Sequence, residues 1–154
     1  MIELRDITPD NHLEVRALSV LPEQQHLVAT VDKSLADGFV WKDALLRAAY
    51  HDNIAVGFVC VFPFEEKGLC TVNIVRLLID SRHQGQGLGR ALLGSTLKWV
   101  ESLSPDRIRI STLPENEVAL SLYKSMGFVE SGVEDGKIAL YLDCQTTTDK
   151  ELVK

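Results

Sequence analysis

The residues best suited to chemistry lie between positions 77 and 93. Leu77-Leu78-Ile79 closes an apolar, strand-like run, and Asp80-Ser81-Arg82-His83 makes a turn. Gln84-Gly85-Gln86-Gly87-Leu88-Gly89-Arg90 then sets three glycines at alternate positions before Ala91-Leu92-Leu93 opens a helix. Glycine lets a backbone approach a ligand with no Cβ in the way. The first amide N–H groups of a helix lack intrahelical partners and lie at its positive end, so they suit an anion, above all a phosphate. A tight turn alone needs fewer glycines. The segment therefore reads as a cradle for a phosphate-bearing cofactor at the junction of a strand and a helix. Two familiar cradles do not fit. A dinucleotide fingerprint needs G-x-G-x-x-G and normally follows the first strand of its fold; here Arg90 stands where the third glycine belongs, and the strand comes fourth. A nucleotide P-loop needs Gly-Lys-Ser/Thr after four spacer residues, a sequence this chain lacks.

Several elements must position that loop. Ile2, Leu4 and Asp6-Ile7 suggest a first strand, and Thr8-Pro9-Asp10 a helix start, with Leu13, Ala17, Leu18 and Leu21 at helical spacing until Pro22 breaks it. Residues 23–37 read as helical around Leu27-Val28 and Ser34-Leu35. Residues 44–50 and 54–62 flank His51-Asp52-Asn53 as a β-hairpin, residues 63–68 read as a connection with Pro63 and Gly68, and a long strand follows at about 69–79. The glycine-led helix carries Leu88, Leu92, Trp99 and Leu103 on one stripe until Pro105-Asp106. Ile108 and Ile110 alternate with Arg107 and Arg109 in a strand; Asn116 to Met126 is a helix closed by Gly127; and Phe128–Val133 and Lys137–Leu142 form a last hairpin around Glu134-Asp135-Gly136. The order β-α-α-β-β-β-α-β-α-β-β mixes crossover units with hairpins, which predicts an α/β fold with a mixed sheet and helices on both faces. One domain is expected over 1–142, with 143–154 as a loose tail.

The 154 residues suffice for one domain with a real core. No apolar run approaches the roughly 20 residues of a membrane span, and charges interrupt the first residues, so neither membrane nor signal peptide is expected. Three cysteines, Cys60, Cys70 and Cys144, without CxxC spacing make neither a disulfide framework nor a zinc site. They read as core or near-core residues of a reduced, cytoplasmic protein, and no metal is expected. The net charge of −6, with no Lys/Arg cluster, excludes nucleic acid as the expected partner. An acidic surface attracts a cationic substrate and equally serves solubility.

Gln84-Gly85-Gln86-Gly87-Leu88-Gly89-Arg90 resembles the Q/R-x-x-G-x-G/A signature of the GNAT N-acetyltransferase superfamily. Asn116-Glu117-Val118-Ala119-Leu120-Ser121-Leu122-Tyr123-Lys124-Ser125-Met126-Gly127-Phe128 resembles that superfamily's N-x-x-A-x-x-L-Y-x-x-x-G-F segment. The blocks stand in the family's order, one helix and one strand apart, and the element order is similar to the family fold, whose central sheet is splayed and mostly antiparallel. The resemblance implies acetyl-CoA as acyl donor. Main-chain amides of Gly85, Gln86, Gly87, Leu88, Gly89 and Arg90 would hold its pyrophosphate, after Gln84. Main-chain groups of Leu77, Leu78 and Ile79 would pair with the pantetheine arm as an extra strand. Asn116 would hydrogen-bond the cofactor near its reactive end, and Tyr123 would be the general acid. On residues alone, Tyr123 is equally a half-buried aromatic of an amphipathic helix.

Amine acetylation has two proton problems. An alkylammonium of pKa near 10.4 must lose its proton before it can attack, and the departing thiolate must gain or share one. Glu65 and Glu66, in the expected loop before the fourth strand, are candidate bases, and Glu23 is a further carboxylate; solvated loop charges look the same. Ser111 stands where the ribosomal-protein N-terminal acetyltransferases of the superfamily have a glutamate, which weighs against that activity. Arg76-Leu77-Leu78-Ile79-Asp80 with the glycine run is similar to the bacterial polyamine (spermine/spermidine-type) branch, as is Pro22-Glu23-Gln24-Gln25 more loosely. Glu23 and Gln25 are the matching acceptor-binding candidates. Short chains of the family are often homodimers. The expected function is acetyl transfer to a primary amine of a small cationic substrate such as a polyamine. The alternatives are a peptide or protein N-acetyltransferase and a non-catalytic CoA-binding module of the same fold.

Overall fold

A computed structural model describes residues 1–144. Seven strands form one sheet: β1 (Glu3–Arg5), β2 (Leu45–His51), β3 (Ile54–Glu66), β4 (Leu69–Ile79), β5 (Arg107–Thr112), β6 (Val129–Glu134) and β7 (Lys137–Asp143). Four helices accompany them: α1 (His12–Arg16), α2 (Val31–Val40), α3 (Leu88–Glu101) and α4 (Glu117–Ser125). The strand order is β1-β2-β3-β4-β5-β7-β6, and every pairing is antiparallel except β4 with β5. The expected α/β class, element order and mostly antiparallel sheet are all present.

Three hairpins share one turn chemistry. Asp52-Asn53, Lys67-Gly68 and Asp135-Gly136 each put two successive residues at positive φ, between 51° and 81°. Two-residue turns of that hand match the twist of the strands they join. The second of them corrects the expected connection at 63–68. β3 runs on through Pro63, opposite Val72, to Glu66, and only Lys67-Gly68 turns. Proline is tolerated there because β2 pairs with β3 no further than Val61, so the strand beyond has a neighbour on one side only.

The helical region before β2 also departs from the sequence pattern. α1 is five residues long, not the span from Thr8 to Leu21, and Leu13 points outward at 70% exposure. Asn11 Oδ1 accepts the Thr8 N–H at 2.7 Å and holds the preceding turn in place of a helix start at Pro9. Pro22 opens a short 3-10 turn, and α2 begins only at Val31, where the Thr30 hydroxyl accepts the Lys33 N–H at 3.1 Å. Residues 25–27 between them turn, residue 28 bends, and residues 29–30 are irregular.

Two apolar cores flank the sheet. Leu92, Leu93 and Val100 of α3 and Tyr123 of α4 pack on Val59, Val61, Val72, Ile74, Ile108 and Ile110. Val15, Leu18 and Val31 pack on the opposite face, against Ala48, Phe58, Cys60 and Leu78. Helices thus cover both faces of the β2–β4 half. On the β5–β7 side the outer face carries charge: Arg107 lies over the Tyr141 ring at 4.4 Å, and Arg109 donates to Glu134 at 2.7 Å. Among the cysteines, Cys60 is buried and Cys144 half-buried, but Cys70 is exposed, which corrects its placing near the core. β7 extends through Asp143, and the Cys144 N–H donates to the Asp106 carbonyl at 2.9 Å, two residues past the expected end. The expected tail from Gln145 lies outside the described residues. Among the described residues no helix is long and apolar enough to cross a membrane.

Candidate functional site

The sheet opens between β4 and β5. They pair from Thr71 opposite Arg107 to Ile74 opposite Ile110 and then part. Among the described residues Ser111 and Thr112 pair only with β7, and the edge of β4 beyond Ile74 has no strand beside it. A bulge marks the parting point: Cys60 faces Arg76 and Val61 faces Ile74, leaving Val75 as the extra residue. The bulge switches the pleat. Ile74 packs with α3 and α4, and so do Leu77 and Ile79 beyond it, while Leu78 joins the opposite core. Gly57 of β3 allows this end of β4 to come close, since a Cβ there would meet the Leu78 carbonyl oxygen at 2.5 Å.

The opening is a cleft of about 1020 Å³. Leu77, Leu78 and Ile79 form one wall, the glycine loop one end, and Ser111, Asn116 and Tyr123 the other wall; Gln25, His26 and Val28 close it from across. The loop has the conformation its glycines allow. Gly85 and Gly87 sit at φ 80° and 78°, and a Cβ on either would meet no atom within 4 Å. Their freedom is therefore backbone freedom beside open space. α3 starts at once, with no side-chain cap and no acidic residue in its first turn. Its first N–H groups are left for an anion. A Cβ at Gly89 would meet Leu122 at 4.0 Å, an ordinary van der Waals contact between α3 and α4. Arg90 adds a cation to the same end and donates to Ser125 Oγ at 2.8 Å. The exposed Gln86 side chain is outside the cleft lining.

Two residues anchor the loop. Gln84 Nε2 donates to the Ile79 carbonyl at 3.0 Å and to Gln24 Oε1 at 2.9 Å, and Gln24 Nε2 returns a bond at 3.2 Å. Gln84 thus lies in the cleft lining while its amide ties the loop to β4 and to the segment across the cleft. Asp80, 1% exposed, accepts the Ser19 N–H at 2.9 Å and the Arg82 Nε at 2.8 Å. Burial pushes its carboxyl up, but the bonds from Ser19 and Arg82 outweigh that and hold its pKa below the ordinary value. Sequence reasoning assigned no role to Gln24 or Asp80. An aspartate closing an apolar run and followed by a turn was the available signal for Asp80.

Tyr123 and Asn116 come from α4. Asn116 Oδ1 caps the helix, accepting the Ala119 N–H at 3.3 Å, and Asn116 also lines the cleft. The Phe128 and Gly127 N–H groups donate to the Tyr123 and Lys124 carbonyls at 3.1 Å and end α4, as the glycine predicts. Tyr123 is 7% exposed, its ring tilted against Phe128 at 6.2 Å. Burial pushes its phenol up to about 12, so it remains a hydrogen-bond donor at any ordinary pH.

The carboxylates divide sharply. Glu66 is at the end of β3, opposite Leu69; eight residues of β4 separate that point from Leu77, about 26 Å along the strand. It accepts Arg107 Nη2 at 2.9 Å and the Tyr141 hydroxyl at 3.0 Å. Glu65 is beside it, and the structure brings neither to the cleft. Glu23 is exposed and also outside, while Gln25 lines the cleft. Among the described residues the carboxylates that do line it are Glu115 and Glu117; Glu115 faces His26 at 3.9 Å across the rim. Nothing in the linear pattern distinguishes those two glutamates from solvated charges.

The comparisons agree with this geometry. A family model described as "Acetyltransferase (GNAT) family" matches residues 29–128. N-acetyltransferase 8F1 of Rattus norvegicus is 25% identical over 78% of this chain and 57% of its own length. Mycothiol acetyltransferase of Beutenbergia cavernae is 30% identical over 79% of this chain and 40% of its own length. This chain thus spans about half the length of those two relatives. Spermine/spermidine N(1)-acetyltransferase of Bacillus subtilis is 27% identical over 87% of this chain and 91% of its own length. The crystal structure of a Bacillus subtilis acetyltransferase in complex with CoA superposes with a TM-score of 0.69 at 22% identity, covering 93% of this chain and 97% of that one. With the splayed strands, the glycine loop and a family match across both motif blocks, the chain belongs to the acetyltransferase (GNAT) family.

Proposed function

We propose that this protein transfers an acetyl group from acetyl-CoA to a primary amine of a small molecule. The observation that carries the reading is the parting of β4 from β5, which leaves an unpaired strand edge running from the anion-binding loop to the buried phenol of Tyr123. Backbone N–H groups of residues 85–90 and the first turn of α3 hold the pyrophosphate, with Arg90 beside them. Main-chain groups of Leu77, Leu78 and Ile79 take the pantetheine arm as an added strand. The Asn116 amide orients the reactive end. Acetyl-CoA, when bound, supplies an activated thioester.

In the balanced reaction one C–N bond forms and one C–S bond breaks. The ammonium gives up two protons; one ends on the sulfur and the other in solvent. Tyr123 donates its hydroxyl hydrogen bond where sulfur charge develops. A phenol near 12 is a weaker acid than a thiol of about 8.5, so position carries more of its effect than acidity. Proton loss from the amine falls to the rim pair His26–Glu115, the histidine–carboxylate pair of this cleft.

For the acceptor, the net charge of −6 and the Bacillus subtilis relative support a polyamine. The test is free-thiol release from acetyl-CoA across polyamines, amino acids, aminoglycosides and peptides, with CoA affinity measured in parallel. Thiol release with at least one amine is expected. CoA binding without release for any amine would make the protein a binding module instead.

A further inference from the structure

A smaller cavity of about 240 Å³ opens beside the cleft, between α2 and the β3–β4 pair. Val75 and Arg76 line both spaces, so the two share a wall at the bulge. Its other walls are apolar: Trp41 meets Phe62 edge-on at 6.1 Å, and Cys60 lies alongside. An apolar cavity of about 150 Å³ takes a benzene ring, so this one takes a ring with a short chain. Apolar surface continues outward, with Trp41 61% exposed and Phe39 85% exposed at the end of α2. Contiguous exposed apolar surface of this kind marks binding surfaces.

The charges are few and unevenly matched. Among the described residues Asp37 is the one carboxylate lining the cavity, and it already receives Arg76 Nη2 at 3.0 Å and Lys33 Nζ at 2.8 Å. One anion between two cations leaves a cationic surplus where a polyamine would need free carboxylates. Arg76 is also under-used. Among the described residues its Nε is buried without a partner, and Nη1 reaches only the adjacent Val75 carbonyl, at 3.5 Å. A buried donor seeks an acceptor, and a guanidinium fork matches a carboxylate above all.

Resting on the acetyl-transfer reading but replacing its polyamine acceptor on the local charge around Asp37, we propose that this cavity is the acceptor's side-chain pocket and that the acceptor is an apolar amino acid. The amine lies in the cleft, the neighbouring carboxylate meets Arg76 at the shared wall, and the ring or branched chain enters between Trp41, Phe62 and Val75.

Trp41 reports occupancy directly, because the chain has only two tryptophans and the other, Trp99, lies under Arg47 at 4.8 Å. The experiment titrates L-phenylalanine, phenethylamine, L-alanine and spermidine into the CoA-loaded protein, reading fluorescence, and measures kcat/KM for each with acetyl-CoA. L-phenylalanine is expected to change the emission saturably, with Trp41→Phe abolishing the change, and to exceed each of the other three at least tenfold in kcat/KM. Trp41→Ala, at an exposed position, should raise the phenylalanine KM about tenfold and leave CoA affinity unchanged. Arg76→Lys should narrow the gap between phenylalanine and phenethylamine to within threefold. A phenylalanine signal without turnover of any amine would remove the transferase reading and leave the pocket standing. Spermidine turnover with no phenylalanine signal would overturn the pocket and leave acetyl transfer intact.

Discussion

The cleft and the smaller cavity beside it give the site two halves that are built differently. The half formed by the glycine loop, α3 and α4 presents backbone: unpaired N–H groups at a helix start, a bare strand edge, and glycines that keep side chains away. The half across from it, from Gln24 to Ala29 and on through α2 to β3, presents side chains: Trp41, Phe62, and an aspartate shared by two cations. Backbone recognition needs few residue types at fixed spacing and so suits a ligand that stays the same. Side-chain recognition can vary residue by residue and suits one that differs. On the proposed reading, the first half fixes the donor and the second selects the acceptor.

That separation can be broken experimentally. Tyr123→Phe removes one hydroxyl from the donor half; kcat should fall by about 10²–10³ while CoA affinity stays within threefold. The phenol also sets an alkaline signature. Its folded-state pKa of about 12 lies above the unfolded value near 10, so its contribution to stability is complete below pH 10 and is lost as pH rises through about 12. Thermal melts of the wild type should fall more steeply over that window than those of the phenylalanine variant. Gly87→Val places a β-branched side chain at φ 78° and in the open cradle. CoA affinity should drop about tenfold to hundredfold by calorimetry, at a folding cost of about 1–2 kcal/mol, with the acceptor KM unmoved. Gln24→Ala cuts the amide pair that joins the halves, and both KM values should rise a few-fold together. Glu66→Ala is the smallest in activity: kcat should stay within twofold while Tm falls by a few degrees, because Arg107 and Tyr141 lose their shared acceptor.

The legibility of the sequence follows the same division. The order of elements, the first and last hairpin turns and the glycine-led start of α3 could all be read, since each depends on glycines, turn residues or periodicity within a few positions of one another. Pro63 misled because its tolerance depends on where β2 stops pairing, which is a tertiary fact. α1 fell short of its pattern because Asn11 bonds back to Thr8. Glu66 looked like a free loop carboxylate because Arg107 and Tyr141, its partners, are 41 and 75 residues away. Asp37 and Arg76 are 39 residues apart and meet only where α2 crosses β4. A lone arginine inside the apolar run Val75-Arg76-Leu77 was the trace that pair left in the sequence.

Hydrogen exchange with and without CoA tests the central claim most directly, because that claim assigns the ligand to particular backbone groups. CoA should slow exchange at the amides of residues 85–90 and along Leu77–Ile79, and leave residues 37–41 unchanged. Unaltered exchange along Leu77–Ile79 in the CoA-saturated protein would contradict the pairing of the cofactor with the open edge of β4.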